Sequence, residues 1–171
     1  MPFSRRERET NYFHVLRRPM AMRIILRKEV DPDPDFYCTR QFQIYQEPSL
    51  IWSRRTWERV VTACDVYRIE IDGQDAGEII LENRRNGITY IADFGLLPEY
   101  RAIGAGRAVL EKVRERSQKL SAFTRKETLG FFLKSGFIVK RTMKDYFSPG
   151  SNRYYIESAR QTLGFRHQTP D

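Results

Sequence analysis

The chain is 171 residues long, 40% of them apolar, with a formal net charge of +8. That length suits a single domain able to bury its own core, and no apolar run approaches the roughly 20 residues of a membrane-spanning helix. The arginine-rich first residues lack the apolar centre of a secretory signal, and Cys38 and Cys64 are too few for a disulfide framework and lack metal-ligand spacing. The expectation is a cytoplasmic protein with two reduced thiols, no bound metal and no membrane contact.

Residues 1–21 are polar and basic with no sustained period. They read as an extension ahead of one folded domain over 22–160, and 161–171 reads as a loose tail. Met22 to Leu26 has the composition of a first strand. In the run Asp31-Pro32-Asp33-Pro34-Asp35, prolines and acids mark a helix start, so these carboxylates are read as caps in preference to an attractor for a cationic ligand. A short helix is expected over Phe36 to Tyr45. Ser53 is placed to cap a second helix to about Ala63, with Trp57, Val60 and Val61 on one side; Trp52 and Trp57 are read as core or lid.

A meander follows. Val66 to Ile71 alternates, with Tyr67, Ile69 and Ile71 on one face; Asp72-Gly73 and Asn86-Gly87 are hairpin turns around a strand over Ala76 to Leu81. From Ile88 the next strand places Ile88, Tyr90, Ala92 and Phe94 on one face and breaks at Gly95, where a bulge is expected. The helix beyond has Ile103, Val109, Leu110 and Val113 at core spacing. Then come a short strand over Lys119 to Thr124 and a helix over Glu127 to Ser135 ending at Gly136. A long strand over Phe137 to Phe147 follows, then a return strand over Asn152 to Ser158. Meander strands pair antiparallel, whereas strand–helix–strand needs a parallel crossover, so the fold class is α/β with a mixed sheet: about seven strands flanked by about four helices.

The strongest signal lies where the strand from Ile88 hands over to a helix through Leu96-Leu97-Pro98-Glu99-Tyr100-Arg101-Ala102-Ile103-Gly104-Ala105-Gly106. Free N–H groups converge at such a turn, the helix dipole adds partial positive charge, and glycine lets a phosphate approach the backbone. Residues 101–145 hold 12 Lys+Arg against 4 Asp+Glu, an excess as large as that of the whole chain. Basic residues beside a phosphate turn favour a phosphorylated cofactor over nucleic acid, for which no binding motif is present.

This stretch resembles the acyl-CoA pyrophosphate loop of the GNAT superfamily of N-acetyltransferases, Arg/Gln-x-x-Gly-x-Gly/Ala after a strand ending in apolar-x-Pro. The element order from Met22 to Ser158 is also similar to the GNAT fold. The Lys134-Ser135-Gly136-Phe137 ending agrees with a second family pattern, but Arg125, Thr128 and Phe132 stand where relatives often have Asn, Ala and Tyr. The resemblance implies an acetyl-CoA-dependent N-acetyltransferase. Arg101, Ala102, Ile103, Gly104, Ala105 and Gly106 would hold the pyrophosphate. Leu96, Leu97 and Phe132 would line the rest of the cofactor site, and backbone groups near Phe94 to Leu97 would pair with the pantetheine arm and face the thioester oxygen.

Transfer to an amine also needs a base for the ammonium and an acid for the leaving thiolate. Phe132 cannot donate a proton where relatives often use tyrosine, so Tyr146, expected late in the strand after that helix, is the candidate acid. Asp93, beside the strand break, is the candidate proton relay from the amine, and Glu78 is a weaker one. His14 and His167 fall in the two ends and are given no role. No cysteine falls in the strand end or loop, so direct transfer in a ternary complex is expected, with a small-molecule or protein amine as acceptor. The exposed final hairpin suits a homodimer. The alternative is a GNAT-like acyl-CoA-binding or regulatory module with little turnover.

Overall fold

The computed structural model describes residues 22–146 and 148–159. The basic extension over 1–21, the tail beyond residue 160, His14 and His167 lie outside the described residues. Seven strands form one sheet in the order β1-β2-β3-β4-β5-β7-β6: β1 Ile24–Lys28, β2 Asp65–Ile71, β3 Gln74–Asn83, β4 Ile88–Leu96, β5 Lys119–Arg125, β6 Phe137–Met143 and β7 Arg153–Ser158. Every neighbouring pair is antiparallel except β4 with β5. Four helices flank the sheet: α1 Pro34–Ile44, α2 Arg54–Ala63, α3 Ala105–Arg114 and α4 Lys126–Lys134.

Local chemistry sets these boundaries. Asp33 caps α1 by accepting from Asp35 N–H at 2.9 Å, and Asp35 pairs with Arg54 at 2.6 Å, so two of the three early acids serve the helices. Ser53 accepts from Thr56 N–H at 3.2 Å at the start of α2. Asp72 and Gly73, at φ 52° and 83°, form the two-residue turn between Ile71 and Gln74. Gly136 ends α4 at φ 79°, donating to Leu133 O at 3.0 Å.

The sheet separates two cores. On one face Trp57 lies between Tyr37 and Trp52, with ring centroids 5.5 and 5.0 Å away, over Val66 and Ile80. On the other, Ala105, Val109, Leu110 and Val113 of α3 and Phe132 of α4 cover Ile69, Ile79, Ile91 and Leu120. Ile103 is not part of that core; it is 54% exposed, because α3 begins only at Ala105 and leaves it in the turn.

Two strands differ from the sequence reading. The bulge in β4 falls at Ala92, not Gly95: Leu81 faces Ile91 while Ile80 faces Asp93, leaving Ala92 as the extra residue. The alternation therefore flips. Ile91 and Phe94 join the α3 side, Ala92 joins the α1 side, and Phe94 does not share a face with Tyr90 as expected. β6 stops at Met143, because Asp145 adopts φ 51° and accepts from Gly150 N–H at 2.6 Å, folding the chain back early.

Candidate active site

β4 and β5 start side by side and then part. Their parallel pairing runs from Ile88 with Lys119 to Ile91 with Ala122, yet β4 continues to Leu96 and β5 to Arg125. Each remains bonded to its other neighbour, β4 to β3 and β5 to β7, so the opening is between the two halves of one sheet. The bulge at Ala92 coincides with the point of parting.

The chain leaves β4 through a tight turn over Pro98–Tyr100 and enters α3 with Ala102 at φ 60° and Gly104 at φ 86°. A non-glycine residue in the left-handed region is uncommon, and a turn that holds one is fixed by its surroundings. Here the fixing group is Arg101. Its Nε donates to Leu96 O at 2.9 Å and its Nη2 to Ile44 O at the end of α1. Among the described residues none accepts from the N–H groups of Ala102 to Arg107, and α3 has no side-chain cap. The unpartnered amides, the left-handed turn and the helix dipole have the chemistry to hold an anion.

Individual loop residues do different work from that expected. Arg101 binds backbone carbonyls and shapes the loop. A Cβ on Gly106 would lie 3.0 Å from a ring carbon of Phe131, so the missing side chain of this glycine admits the Phe131 ring under α3. Gly104 has open space, with only Met22 Cε 3.9 Å from a Cβ position, and is required by its φ. The Leu97 N–H is not available at the opening, since it donates to Ala76 O of β3 at 2.8 Å, and the Leu96 carbonyl is taken by Arg101.

On the α1 face, beside the opening, acids gather. The Tyr45 hydroxyl donates to Asp93 Oδ1 at 2.7 Å. It reaches there because residue 95 has no side chain: a Cβ on Gly95 would lie 2.8 Å from that hydroxyl and 2.4 Å from Ile44 Cγ2. Glu78, fully buried in β3, accepts from Arg40 Nε at 3.1 Å, and the Arg40 fork bonds both oxygens of Asp75 at 2.8 and 2.6 Å. Burial, and then the charge of Asp93, pushes the Glu78 carboxyl up to about 8, against the pull of Arg40. Burial also pushes Asp93 up to about 6, opposed by the Tyr45 hydroxyl and the Phe94 backbone N–H. Burial and Asp93 hold the Tyr45 hydroxyl well above its ordinary range. At neutral pH the cluster therefore offers an ionised Asp93, a protonated Tyr45 and a largely protonated Glu78. Tyr45 also walls a cavity of about 400 Å³ with Phe42, Pro48, Ile51 and Trp52, which opens between the end of α1 and the start of α2. A second cavity of about 390 Å³ lies at the closed end of β4 and β5, lined by Ile88, Lys119, Ile138 and Lys140, away from these acids.

No protein-family profile matches the sequence, and no curated protein matches it. Solved structures do. The ribosomal-protein-S18-alanine N-acetyltransferase of Escherichia coli superposes with a TM-score of 0.65 at 15% identity, over 84% of this chain and 98% of that one. A Bacillus subtilis acetyltransferase in complex with CoA gives 0.62 at 14% identity, over 82% and 100%. A GNAT family acetyltransferase of Elizabethkingia anophelis with acetyl-CoA bound gives 0.59 at 15% identity, over 81% and 97%. The fold is that of the GNAT acetyltransferases.

Within that GNAT fold, the remaining expected residues fall as follows. Phe132 is buried, its ring 5.0 Å from Phe131 and 5.2 Å from Phe137, and serves as core. Its neighbour Phe131, 6.1 Å from Phe94, occupies the ground between α4, α3 and the parted end of β4. Tyr146 is not on a strand. It lies in the turn after β6, 49% exposed, with the Arg153 guanidinium 4.9 Å from its ring. Arg153 also stacks on Phe123 at 4.5 Å, so this group belongs to the β5–β7 side of the opening, opposite Tyr45. Sequence reasoning missed Tyr45, Arg40 and Phe131. Phe131 had a local signal, an aromatic beside Phe132 on a short helix. Tyr45 and Arg40 had none, because their partners are 48 and 38 residues away.

Proposed function

We propose that this chain is an acetyl-CoA-dependent N-acetyltransferase that moves the acetyl group directly to a primary amine in a ternary complex. The observation that carries this reading is the unpartnered run of N–H groups from Ala102 to Arg107, at the end of a strand parting from its parallel neighbour, with Asp93 of that strand bonded to the Tyr45 hydroxyl. Backbone amides at a helix N-terminus suit a pyrophosphate, and the parted edge of β4 suits an extended pantetheine arm. Structures of this fold with CoA and acetyl-CoA support the cofactor, and the E. coli enzyme, which acts on an alanine of a ribosomal protein, supports an amine acceptor.

Asp93 takes a proton from the acceptor ammonium and so frees the lone pair that attacks the thioester carbonyl. As the C–N bond forms and the C–S bond breaks, the second amine proton passes through the Tyr45 hydroxyl to the departing sulfur. Tyr45 fills the role that Phe132 cannot. The acceptor enters by the cavity that Tyr45 walls, whose apolar lining favours an amine carried on an apolar or extended group. Cys38 lies in α1 and Cys64 follows α2, so neither is placed for a covalent acyl intermediate.

Calorimetric titration with acetyl-CoA is expected to give micromolar binding that Gly104→Glu abolishes, since that side chain brings a negative charge and a Cβ to a residue at φ 86°. Release of free thiol is then followed across a panel of primary amines. Absent binding by the wild type, or equal binding by the variant, would refute the cofactor site. Binding without thiol release from any amine would make the chain a binding module.

A further inference from the structure

Asp93 has a second oxygen that Tyr45 does not use. Oδ2 of Asp93 and Oε1 of Glu78 are both closed to solvent and without a hydrogen-bond partner among the described residues. An ionised carboxylate oxygen left bare inside a protein is costly, because it has given up its hydration without gaining a partner. Two such atoms in one cluster ask for a common explanation.

The strand register sets the two residues as diagonal neighbours on one face. Ile80 is opposite Asp93 and Glu78 is opposite Gly95, and alternation along β3 turns Glu78 to the same face as Ile80 and Asp93. Diagonal cross-strand neighbours of this kind lie about 7 to 8 Å apart, within reach of long side chains. The Tyr45 hydroxyl closes the triangle, bonded to Asp93 and standing over Gly95, the partner of Glu78.

The surrounding charges do not neutralise both acids. Arg40 of α1 gives its fork to Asp75 and leaves only Nε for Glu78. Arg101 of the loop is bonded to the Leu96 and Ile44 carbonyls. Arg68 of β2 pairs with Glu29 at 3.4 Å and stacks on Phe36. Tyr37 of α1 adds no charge, because burial holds its hydroxyl protonated. Glu78 thus shares one guanidinium with Asp75, and among the described residues no cation is bonded to Asp93. A single proton on Glu78 removes one charge and satisfies both bare oxygens with one bond.

We propose that Glu78 serves Asp93 as a carboxylic acid: it holds a proton on Oε1, donates it to Asp93 Oδ2, and so fixes Asp93 between two donors, Tyr45 and Glu78. Glu78 is then a positioning residue, acting on the acceptor only through Asp93. The functional consequence rests on the proposed transfer reaction, whereas the shared proton is a property of the fold. Burial and the neighbouring Asp93 charge favour the protonated form of Glu78, in agreement.

Infrared spectra of the substrate-free protein at pH 7 test this directly. The wild type is expected to show the C=O band of a protonated carboxyl that is absent in Glu78→Gln and fades as pH rises past 8. In the acetyl-transfer assay, Glu78→Gln, whose amide donates to Asp93 and accepts from Arg40, is expected to stay within about threefold of wild-type kcat/KM. Glu78→Leu leaves Asp93 Oδ2 and Arg40 Nε unpaired and is expected to lose at least about tenfold, with its acid limb displaced to higher pH. No such band in the wild type, a band that survives Glu78→Gln, or a folded Glu78→Gln as impaired as Glu78→Leu would overturn the proposal. If the band behaves as expected and no amine is acetylated, the shared proton stands and the transferase reading falls.

Discussion

Tyr45 reaches Asp93 across a gap that a single methyl group at residue 95 would fill. Tyr45 and Asp93, 48 residues apart, and the nearby Gly95 thus make one hydrogen-bonded unit, and each is legible to a different degree. Asp93 could be picked out beforehand because it is a carboxyl on a strand about to break. Gly95 was visible as a break, but its real work, admitting Tyr45, depends on where α1 ends. Tyr45 itself is an aromatic after a helix, and nothing local marks it. The 2.7 Å bond from its hydroxyl favours the ionised form of Asp93 and draws its titration down towards about 6. Removing that bond in Tyr45→Phe is therefore expected to raise the Asp93 titration. In the proposed reaction Asp93 acts as base when ionised and Tyr45 as proton donor, so the acid limb of the kcat/KM profile should move to higher pH and the maximal rate should fall by about 10- to 100-fold. An unshifted acid limb would show that Asp93 is not the titrating base.

At the scale of elements, the handover from β4 to α3 was readable because its signal is contiguous: an alternating strand, a proline turn, then glycines ahead of an amphipathic helix. What could not be read was how the backbone is shared out. The bulge went unseen at Ala92 because an alanine sits as readily on either face, and only the pairing with Ile80 and Leu81 reveals the extra residue. Arg101 was expected among the residues that hold the pyrophosphate, yet its side chain bonds two backbone carbonyls, one at the end of β4 and one at the end of α1. These roles separate on substitution. A loop-shaping guanidinium needs its planar fork to reach both carbonyls, and lysine cannot supply it. Arg101→Lys is therefore expected to lose about 1 to 3 kcal/mol in urea unfolding, close to Arg101→Ala. Acetyl-CoA affinity should fall in both variants alike. Recovery of affinity by lysine would return Arg101 to the role of a simple positive charge.

For the whole molecule, the order of strands and helices was legible because each element carries its own period, and the parallel pairing of β4 with β5 follows from the β4–α3–β5 crossover in the middle of the sheet. The layering of α1 and α2 over Glu78 and Asp93 was not, since a buried acid in a strand looks like a solvated one until its cover is known. That cover has a cost that pH exposes. Glu78 titrates near 8 in the fold against an ordinary 4.5, and Asp93 near 6 against 3.8. For an acid whose folded value is raised, the folded chain binds more protons than the unfolded chain between the two values. The stability these groups give is thus complete below about pH 4, and it is lost as pH rises to about 6 for Asp93 and about 8 for Glu78. Glu78→Gln removes the larger of the two titrations. Its unfolding free energy is therefore expected to gain on that of the wild type steadily from pH 5 to pH 8, with the difference levelling off above that. Parallel urea-unfolding curves for the two proteins across this range, with a constant gap, would mean that Glu78 is already ionised in the fold and that its charge is held by Arg40.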